Sequence, residues 1–258
     1  MTFCLGITVE DGLVAIADTR ITSGNELTTA QKVRTYQNDG GAFFLMASGL
    51  RSVRDKTLTY FDEELEDLGG FPDKMYKAVN LFADKLRAVA KEDRAYLEES
   101  GLHFNAHTLM GGKLAKDASH KLFLIYPEGN WVEISQGTPY HIIGEGGYGK
   151  PVLDRTLKYG DPIRFALKVG CLAFDSTRIS ASDVDFPVDV VLYYREFNQL
   201  VQHRYEADDL RDISHWWQER LRQSVRELPS EWIDNIAAKL TTVGSACKIT
   251  DQCGPPPK

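Results

Sequence analysis

Apolar residues occupy every odd-numbered position between Phe3 and Val9, with smaller residues between them. This two-residue period is typical of a β-strand. A turn at 10–12 and a second apolar run at 13–17 predict that the strand continues into a β-hairpin. Further short strands are predicted at about 32–36 and 42–47.

A helical period follows. Apolar residues spaced by three and four predict one helix over about 50–68 and a second that begins near Pro72 and Asp73. The remaining pattern predicts strands at 105–111, 121–126, 131–135, 140–143, 188–194 and 200–205, and helices at 147–159, 162–174, 210–221 and 231–240.

The order of these elements groups strands with strands and helices with helices. Because strands and helices do not alternate strictly, a doubly wound parallel sheet is disfavoured. We predict an α+β fold in which two antiparallel sheets pack face to face with helices outside. A single domain over 1–240 is expected, followed by a C-terminal tail over 241–258 that ends in Gly-Pro-Pro-Pro-Lys.

Composition narrows the function classes. Hydrophobic residues make up 43% of the 258 residues, and the formal net charge is -7. The chain can therefore bury a core, and it has no basic footprint for nucleic acid or an anionic membrane. Since no apolar run approaches the roughly 20 residues of a membrane-spanning helix and the first residues do not resemble a secretory leader, we expect a cytoplasmic protein.

The cysteines do not point to chemistry. Cys4 and Cys171 lie in apolar runs and are predicted to be core residues. Cys247 and Cys253 lie near each other in the tail, where reduced thiols are expected and pairing or metal binding are alternatives. His103 and His107 have a spacing compatible with a metal site on a helix, but we predict loop and strand there.

Thr2 is the first candidate for catalysis. An initiator Met before a small residue is normally removed, which gives Thr2 a free α-amine beside its hydroxyl. The pKa of an α-amine is about 7.7–8.0 in reference peptides, so the amine can take the hydroxyl proton at neutral pH. Many unrelated chains also begin Met-Thr, so Thr2 alone decides nothing.

Three further positions could assist such a nucleophile. Asp18 ends the second strand, where it could orient a cation or simply cap a turn or pair with Arg20. Lys32 could lower the pKa of the hydroxyl, although most lysines are solvated. Gly49, between a strand and a helix, could present a backbone N–H to an oxyanion or merely form a tight turn.

Taken together, these residues resemble the proteasome β-type subunits, and most closely the bacterial Anbu family. Thr2, Ala-Asp-Thr-Arg at 17–20, Lys32 and Ala-Ser-Gly at 47–49 follow the family's order, and the Gly-rich stretch at 143–155 is similar too. The resemblance covers about residues 1–240.

The resemblance implies a four-layer αββα sandwich of the N-terminal nucleophile hydrolase type. It implies a threonine peptidase with Thr2 as nucleophile and base, tuned by Asp18 and Lys32, with Gly49 as oxyanion donor and Arg20 in support. No metal or cofactor is implied. The expected partners are a peptide or protein substrate, other copies of the chain in a ring or open helical assembly, and an unfoldase whose identity is open.

Two stretches depart from the β-subunit pattern. Glu145 stands where a serine usually supports the N-terminal amine, and a carboxylate there could raise the amine's pKa. A motif with Asp and Ser before a late strand is replaced by 182–187, in which Ser182 and Asp185 are the candidate supporting residues. A catalytically inactive assembly subunit is therefore one alternative, and a hydrolase of small amides is another. Ile21 and Met46 are candidate pocket walls.

A more distant alternative is dinucleotide binding. Gly144, Gly146 and Gly149 form a G-x-G-x-x-G motif after a predicted strand. The neighbouring strands are predicted to be antiparallel, and Arg164 rather than an acid stands about 20 residues farther on.

Overall fold

A computed structural model describes residues 2–23 and 26–240. The elements are β1 (Phe3–Val9), β2 (Gly12–Asp18), β3 (Arg20–Ser23), β4 (Glu26–Thr29), β5 (Val33–Asn38), β6 (Gly41–Gly49), α1 (Arg51–Asp67), α2 (Met75–Glu99), β7 (Ala106–Leu114), β8 (Lys121–Ile125), β9 (Trp131–Glu133), β10 (Tyr140–Gly144), α3 (Lys150–Thr156), α4 (Ile163–Ser180), β11 (Val188–Tyr194), β12 (Gln199–Tyr205), α5 (Ala207–Arg226) and α6 (Glu231–Leu240).

Two five-stranded sheets form the body of the protein. Their strand orders are β10-β1-β2-β11-β12 and β5-β6-β7-β8-β9. Every neighbouring pair is antiparallel, which confirms the predicted sheet type. The short hairpin of β3 and β4 was missed by the sequence analysis, because residues 20–29 are mostly polar and show no clear alternation.

The two faces of β1 explain its sequence pattern. All seven of its residues are buried. The odd-numbered side chains join a cluster with α3 and α4. Cys4, on the other face, joins a cluster that contains residues of both sheets, such as Ala15 of β2 and Phe44 of β6. Small residues on this face let the sheets approach, since a Cβ at Gly6 would lie 3.1 Å from the Leu122 side chain.

A second helical pair covers the other sheet. Buried residues of α1 and α2 cluster with β6, β7 and β8 around Phe61 and Phe82. The start of α2 differs from the prediction: the helix begins at Met75, and its backbone N–H donates to Asp117 at 2.8 Å. Asp73 instead pairs with Lys77 and Lys116.

The chain divides into two compact units. The first ends at Ser214 and contains both sheets and α1 to α4; the second begins at His215 and contains the rest of α5 and α6. The single domain over 1–240 therefore stays a prediction. The predicted tail over 241–258, with Cys247 and Cys253, lies outside the described residues.

Cys4 and Cys171 are free thiols, and burial raises the pKa of Cys4 to about 12 and that of Cys171 to about 11. Both thiols are therefore held neutral, as expected of core residues.

Among the described helices, none is both long and apolar enough to cross a membrane.

The core assignment can be tested on α2. Phe82 is 1% exposed, whereas Tyr96 on the same helix is 72% exposed. We expect Phe82→Ala to lower the free energy of unfolding by about 3–5 kcal/mol because it leaves a cavity. The control Tyr96→Ala should change it by less than about 0.5 kcal/mol. Urea unfolding measures both, and equal losses would contradict the packing of α2.

Candidate active site

Backbone contacts fix the position of Thr2 just before β1. Its carbonyl accepts a hydrogen bond from the Glu145 N–H at 2.7 Å. Gly144 lies beside it with φ +89°, and a Cβ there would lie only 1.8 Å from the Thr2 carbonyl oxygen. Only glycine allows this close approach. The end of β10 therefore holds Thr2 through main-chain groups.

A buried ion pair lies behind Thr2. Asp18, at the end of β2, has a fully buried side chain whose Oδ1 accepts the Phe3 N–H at 2.8 Å and the Lys32 Nζ at 2.7 Å. The side chain of Lys32 is 3% exposed, and its ammonium also donates to the Arg20 carbonyl at 2.6 Å. Asp18 thus connects Lys32 to the residue that follows Thr2.

Burial and charge act against each other on Asp18. Burial raises the pKa of its carboxyl above the ordinary value, and the ammonium of Lys32 opposes that rise. Within the described part of the chain, its Oδ2 has no hydrogen-bond partner. The carboxylate therefore depends on Lys32. The alternatives of an Asp18 at a surface turn and a solvated Lys32 do not apply, because both residues are buried.

A cleft of about 580 Å³ opens in front of Thr2. Thr2, Lys32 and Gly49 all line it, together with residues from β6, the start of α1, β7 and β10. Gly49 has φ +115°, and a Cβ at this position would lie 2.0 Å from the Asn105 carbonyl oxygen. A nucleophile candidate, a cation and a glycine at a strand-to-helix junction thus share one cavity.

The supporting residues lie in different places. Arg20 lines the cleft and pairs with Asp185 at 3.0 Å. Ser182 is exposed, and neither Ser182 nor Asp185 lines the cleft. Asp185 thus reaches the site only through Arg20. Glu145 contacts Thr2 through its backbone, while its carboxylate accepts the Gly147 N–H at 3.2 Å.

Only one of the two candidate pocket-wall residues lines the cleft. Ile21 lines the cleft as expected. Met46 does not, because its side chain is fully buried in the core between the two sheets. The continuous apolar run of β6 identifies Met46 as buried, but it does not say whether its side chain meets a cavity or a second sheet.

The G-x-G-x-x-G motif lacks the context that dinucleotide binding requires. Gly144 ends β10, which pairs antiparallel with β1, so no parallel β-α-β unit surrounds the motif. The packing of Gly144 against the Thr2 carbonyl explains this glycine without a ligand.

Several lining residues were missed from the sequence. Arg51 and Arg54 line the cleft, three positions apart at the start of α1. His107 of β7 and His141 of β10 also line it, and burial, assisted by His107, lowers the pKa of His141. His103 lies in the loop before β7, as predicted, and the described residues contain no cluster of three or more potential metal ligands. In the sequence, only the nearness of Arg51 and Arg54 to Gly49 could have drawn attention to these two arginines.

No family model matches the sequence, and comparison with curated proteins gives no match. Solved structures do match. Anbu from Hyphomicrobium sp. strain MC1 has 31% identity and a TM-score of 0.80, with 88% of this chain and 98% of that chain covered. Anbu (ancestral beta-subunit) from Yersinia bercovieri has 28% identity and a TM-score of 0.81, covering 88% and 98%. The helical assembly of the Anbu complex from Pseudomonas aeruginosa gives 27% identity and a TM-score of 0.82, covering 88% and 97%.

The dependence of Asp18 on Lys32 gives a pH-dependent prediction. We expect Lys32→Met to lower the free energy of unfolding by about 3–5 kcal/mol at neutral pH, because it leaves a buried carboxylate unpaired. Without the cation, the pKa of Asp18 in the folded variant rises further above its ordinary 3.8. A raised folded-state pKa gives stability that is full below the unfolded value and is lost as pH rises through the folded value.

The deficit of Lys32→Met relative to the original protein should therefore be smaller at about pH 5 than at about pH 8. Urea unfolding at both values measures it. Adding Asp18→Asn should recover part of the loss, because the charge is gone. Lys121→Met, which breaks the exposed pair with Glu133, is the control and should cost less than about 1 kcal/mol at either pH. A deficit that is equal at both pH values would contradict the coupling.

Proposed function

Because the chain belongs to the Anbu family of proteasome-like β subunits, we propose that it is a threonine peptidase whose nucleophile is Thr2 after removal of Met1. The observation that carries the proposal is the arrangement around one cleft. Thr2, Lys32 and Gly49 line the same cavity, and Asp18 joins Lys32 to the chain beside Thr2. Met1 lies outside the described residues.

The proposed reaction is acyl transfer followed by hydrolysis. The α-amine of Thr2 takes the proton of its own hydroxyl, and the oxygen attacks the carbonyl carbon of the peptide bond. The amine then protonates the leaving nitrogen, so the peptide bond breaks and an ester to Thr2 remains. Water hydrolyses this ester and regenerates the hydroxyl. An α-amine suits this work because its ordinary pKa is about 7.7–8.0.

The neighbours of Thr2 have separate proposed roles. The ammonium of Lys32 favours the ionised hydroxyl oxygen, and Asp18 holds that ammonium in place. The N–H of Gly49 stabilises the negative oxygen that develops on the attacked carbonyl. Arg20, with Asp185 behind it, supports the wall of the cleft. Ser182 has no assigned step. Glu145 positions Thr2 through its backbone N–H.

The packing of the first unit supports a proposal about the fold class. Residues of both sheets share one buried cluster, and each sheet packs a helical pair against its other face. We propose that this is the four-layer αββα sandwich of N-terminal nucleophile hydrolases. In such a sandwich the nucleophile lies at the end of a central strand. Thr2 has this position, because it directly precedes β1.

The proposed partners are a peptide or protein substrate and further copies of the chain, within the cytoplasm. A relative forms a helical assembly, and the second unit of this chain exposes apolar side chains suited to self-association. Leu221 and Val225 lie four positions apart on α5 and are 48% and 72% exposed; Trp232 of α6 is 56% exposed. Apolar surface of this kind is a feature of subunit interfaces.

The nucleophile can be tested with a peptide epoxyketone, a reagent that requires both the hydroxyl and the free amine of an N-terminal threonine. We expect the intact mass to lack Met1 and to increase by one inhibitor. Thr2→Ala should abolish the increase because the hydroxyl is lost. Thr156→Ala, which removes an exposed hydroxyl on α3, is the control and should be labelled like the original protein.

Each other result of the mass measurement has a definite meaning. Retention of Met1 in the native host would exclude the mechanism, because the amine would be blocked. A trimmed protein that takes no label and cleaves no peptide would favour the inactive assembly subunit. A labelled protein that cleaves small amides but no peptides would favour the amide hydrolase.

The assembly can be tested by light scattering of the purified protein. We expect a mass of several chains, and we expect Leu221→Asp to reduce it because a charge enters an apolar contact. Gln223→Asp adds the same charge on the opposite side of α5 and should leave the mass unchanged. Equal effects of both variants would show that this surface of α5 is not the contact.

A further inference from the structure

The charge of the cleft is opposite to that of the chain. The chain carries a formal net charge of -7. Arg20, Lys32, Arg51 and Arg54 all line the cleft, and none of its described lining residues is Asp or Glu. Activation of a hydroxyl does not require all four of these cations, because Lys32 is the one that forms the buried pair with Asp18.

Carboxylates behind the cleft wall compensate these cations only in part. Lys32 pairs with Asp18, and Arg20 pairs with Asp185. Arg51 and Arg54 share one carboxylate: the Oδ2 of Asp55 lies 3.2 Å from Arg51 Nε, and its Oδ1 lies 2.7 Å from a terminal nitrogen of Arg54. Two guanidinium groups thus divide one negative charge and leave a positive surplus at the cleft.

The uncompensated positive charge lies where α1 begins. Arg51 is the first residue of the helix and Arg54 follows three positions later, so both side chains project from the same side. Leu50, the capping residue, supplies no side-chain hydrogen bond, and no acid occupies the first turn. The positive end of the helix dipole therefore adds to the two arginines instead of being offset.

The two arginines differ in the exposed fraction of their side chains. The side chain of Arg54 is only 11% exposed, whereas that of Arg51 is 62% exposed. Arg54 thus forms part of the cleft wall, and Arg51 reaches its mouth. A guanidinium has five N–H donors in a planar fork, so one carboxylate partner does not exhaust the donors of two arginines.

We propose that this cleft selects peptides in which the residue that acylates Thr2 has a carboxylate side chain, so that cleavage follows Asp or Glu. The proposal rests on the proposed function, because it names the substrate class of the same site. The acidic side chain would take the donors of Arg51 and Arg54 that Asp55 leaves free, while the attacked carbonyl lies between Thr2 and Gly49. A basic side chain would meet uncompensated like charge.

The test compares fluorogenic peptide amides that differ only in the residue before the cleaved bond: Glu, its neutral isostere Gln, and Lys. We expect kcat/KM for the Glu peptide to exceed that for the Gln peptide by at least about tenfold, because a charge-assisted hydrogen bond replaces a neutral one. The Lys peptide should be slowest. The ratio of Glu to Gln should shrink as salt is added.

Charge reversal provides the decisive variant. Arg51→Glu should bring the ratio of Glu to Gln down to about one and raise kcat/KM for the Lys peptide. It should fold, because the side chain is exposed and an acid suits the first turn of a helix. Arg164→Glu, an equal charge change at an exposed position of α4 that does not line the cleft, is the matched control and should preserve the preference.

The outcomes separate the two proposals. If the epoxyketone labels Thr2 but the Glu and Gln peptides are cleaved equally, the charge preference is wrong and the peptidase stands. If Arg164→Glu abolishes the preference as fully as Arg51→Glu does, the preference comes from overall charge and not from the arginines of the cleft. If no reagent labels Thr2 and no peptide is cleaved, the proposed function is wrong and the preference falls with it.

Discussion

The buried ion pair between Asp18 and Lys32 is the interaction on which the rest of the site depends. Asp18 ends β2 in one sheet, and Lys32 directly precedes β5 in the other. Their 2.7 Å contact therefore joins the two sheets at the point where the cleft opens. Because both charges are buried, neither can be removed without leaving the other unpaired, which is costly. The same ion pair thus affects both the packing of the sheets and the position of the candidate catalytic groups.

Two glycines allow close backbone contacts at the candidate site. Gly144 lies against the Thr2 carbonyl, and Gly49 lies against the Asn105 carbonyl. Both have positive φ, and at both a Cβ would collide with backbone atoms, which do not yield as a flexible side chain does. Close main-chain contacts therefore fix the backbone at both glycines. Such contacts can place N–H groups precisely, whereas recognition of a substrate side chain is left to the side chains that line the cleft.

Local pattern predicted much of the fold, because strands and helices leave a period in the sequence. The bounds of β11 agree with the prediction, and α1 differs by one residue at each end. The polar hairpin of β3 and β4 has no such period and was missed. The candidate site followed from the order of Thr2, Asp18, Lys32 and Gly49, which a family resemblance makes recognisable. Arg51 and Arg54 could not be assigned to the cleft in this way, because their role depends on the direction in which α1 leaves β6, and no sequence period encodes that direction.

The cations of the cleft differ in how much of their charge a substrate can use. Lys32 is buried and bonded to Asp18 and to a backbone carbonyl, so its donors are committed to the interior. Arg51 and Arg54 share a half-exposed carboxylate, so a charge arriving from solvent can compete for their donors. Activation of a nucleophile requires a fixed charge, whereas recognition requires one that can change partners. Because the Arg51 side chain is 62% exposed and that of Lys32 only 3%, the proposed tasks of recognition and activation fall to different cations of a single cavity.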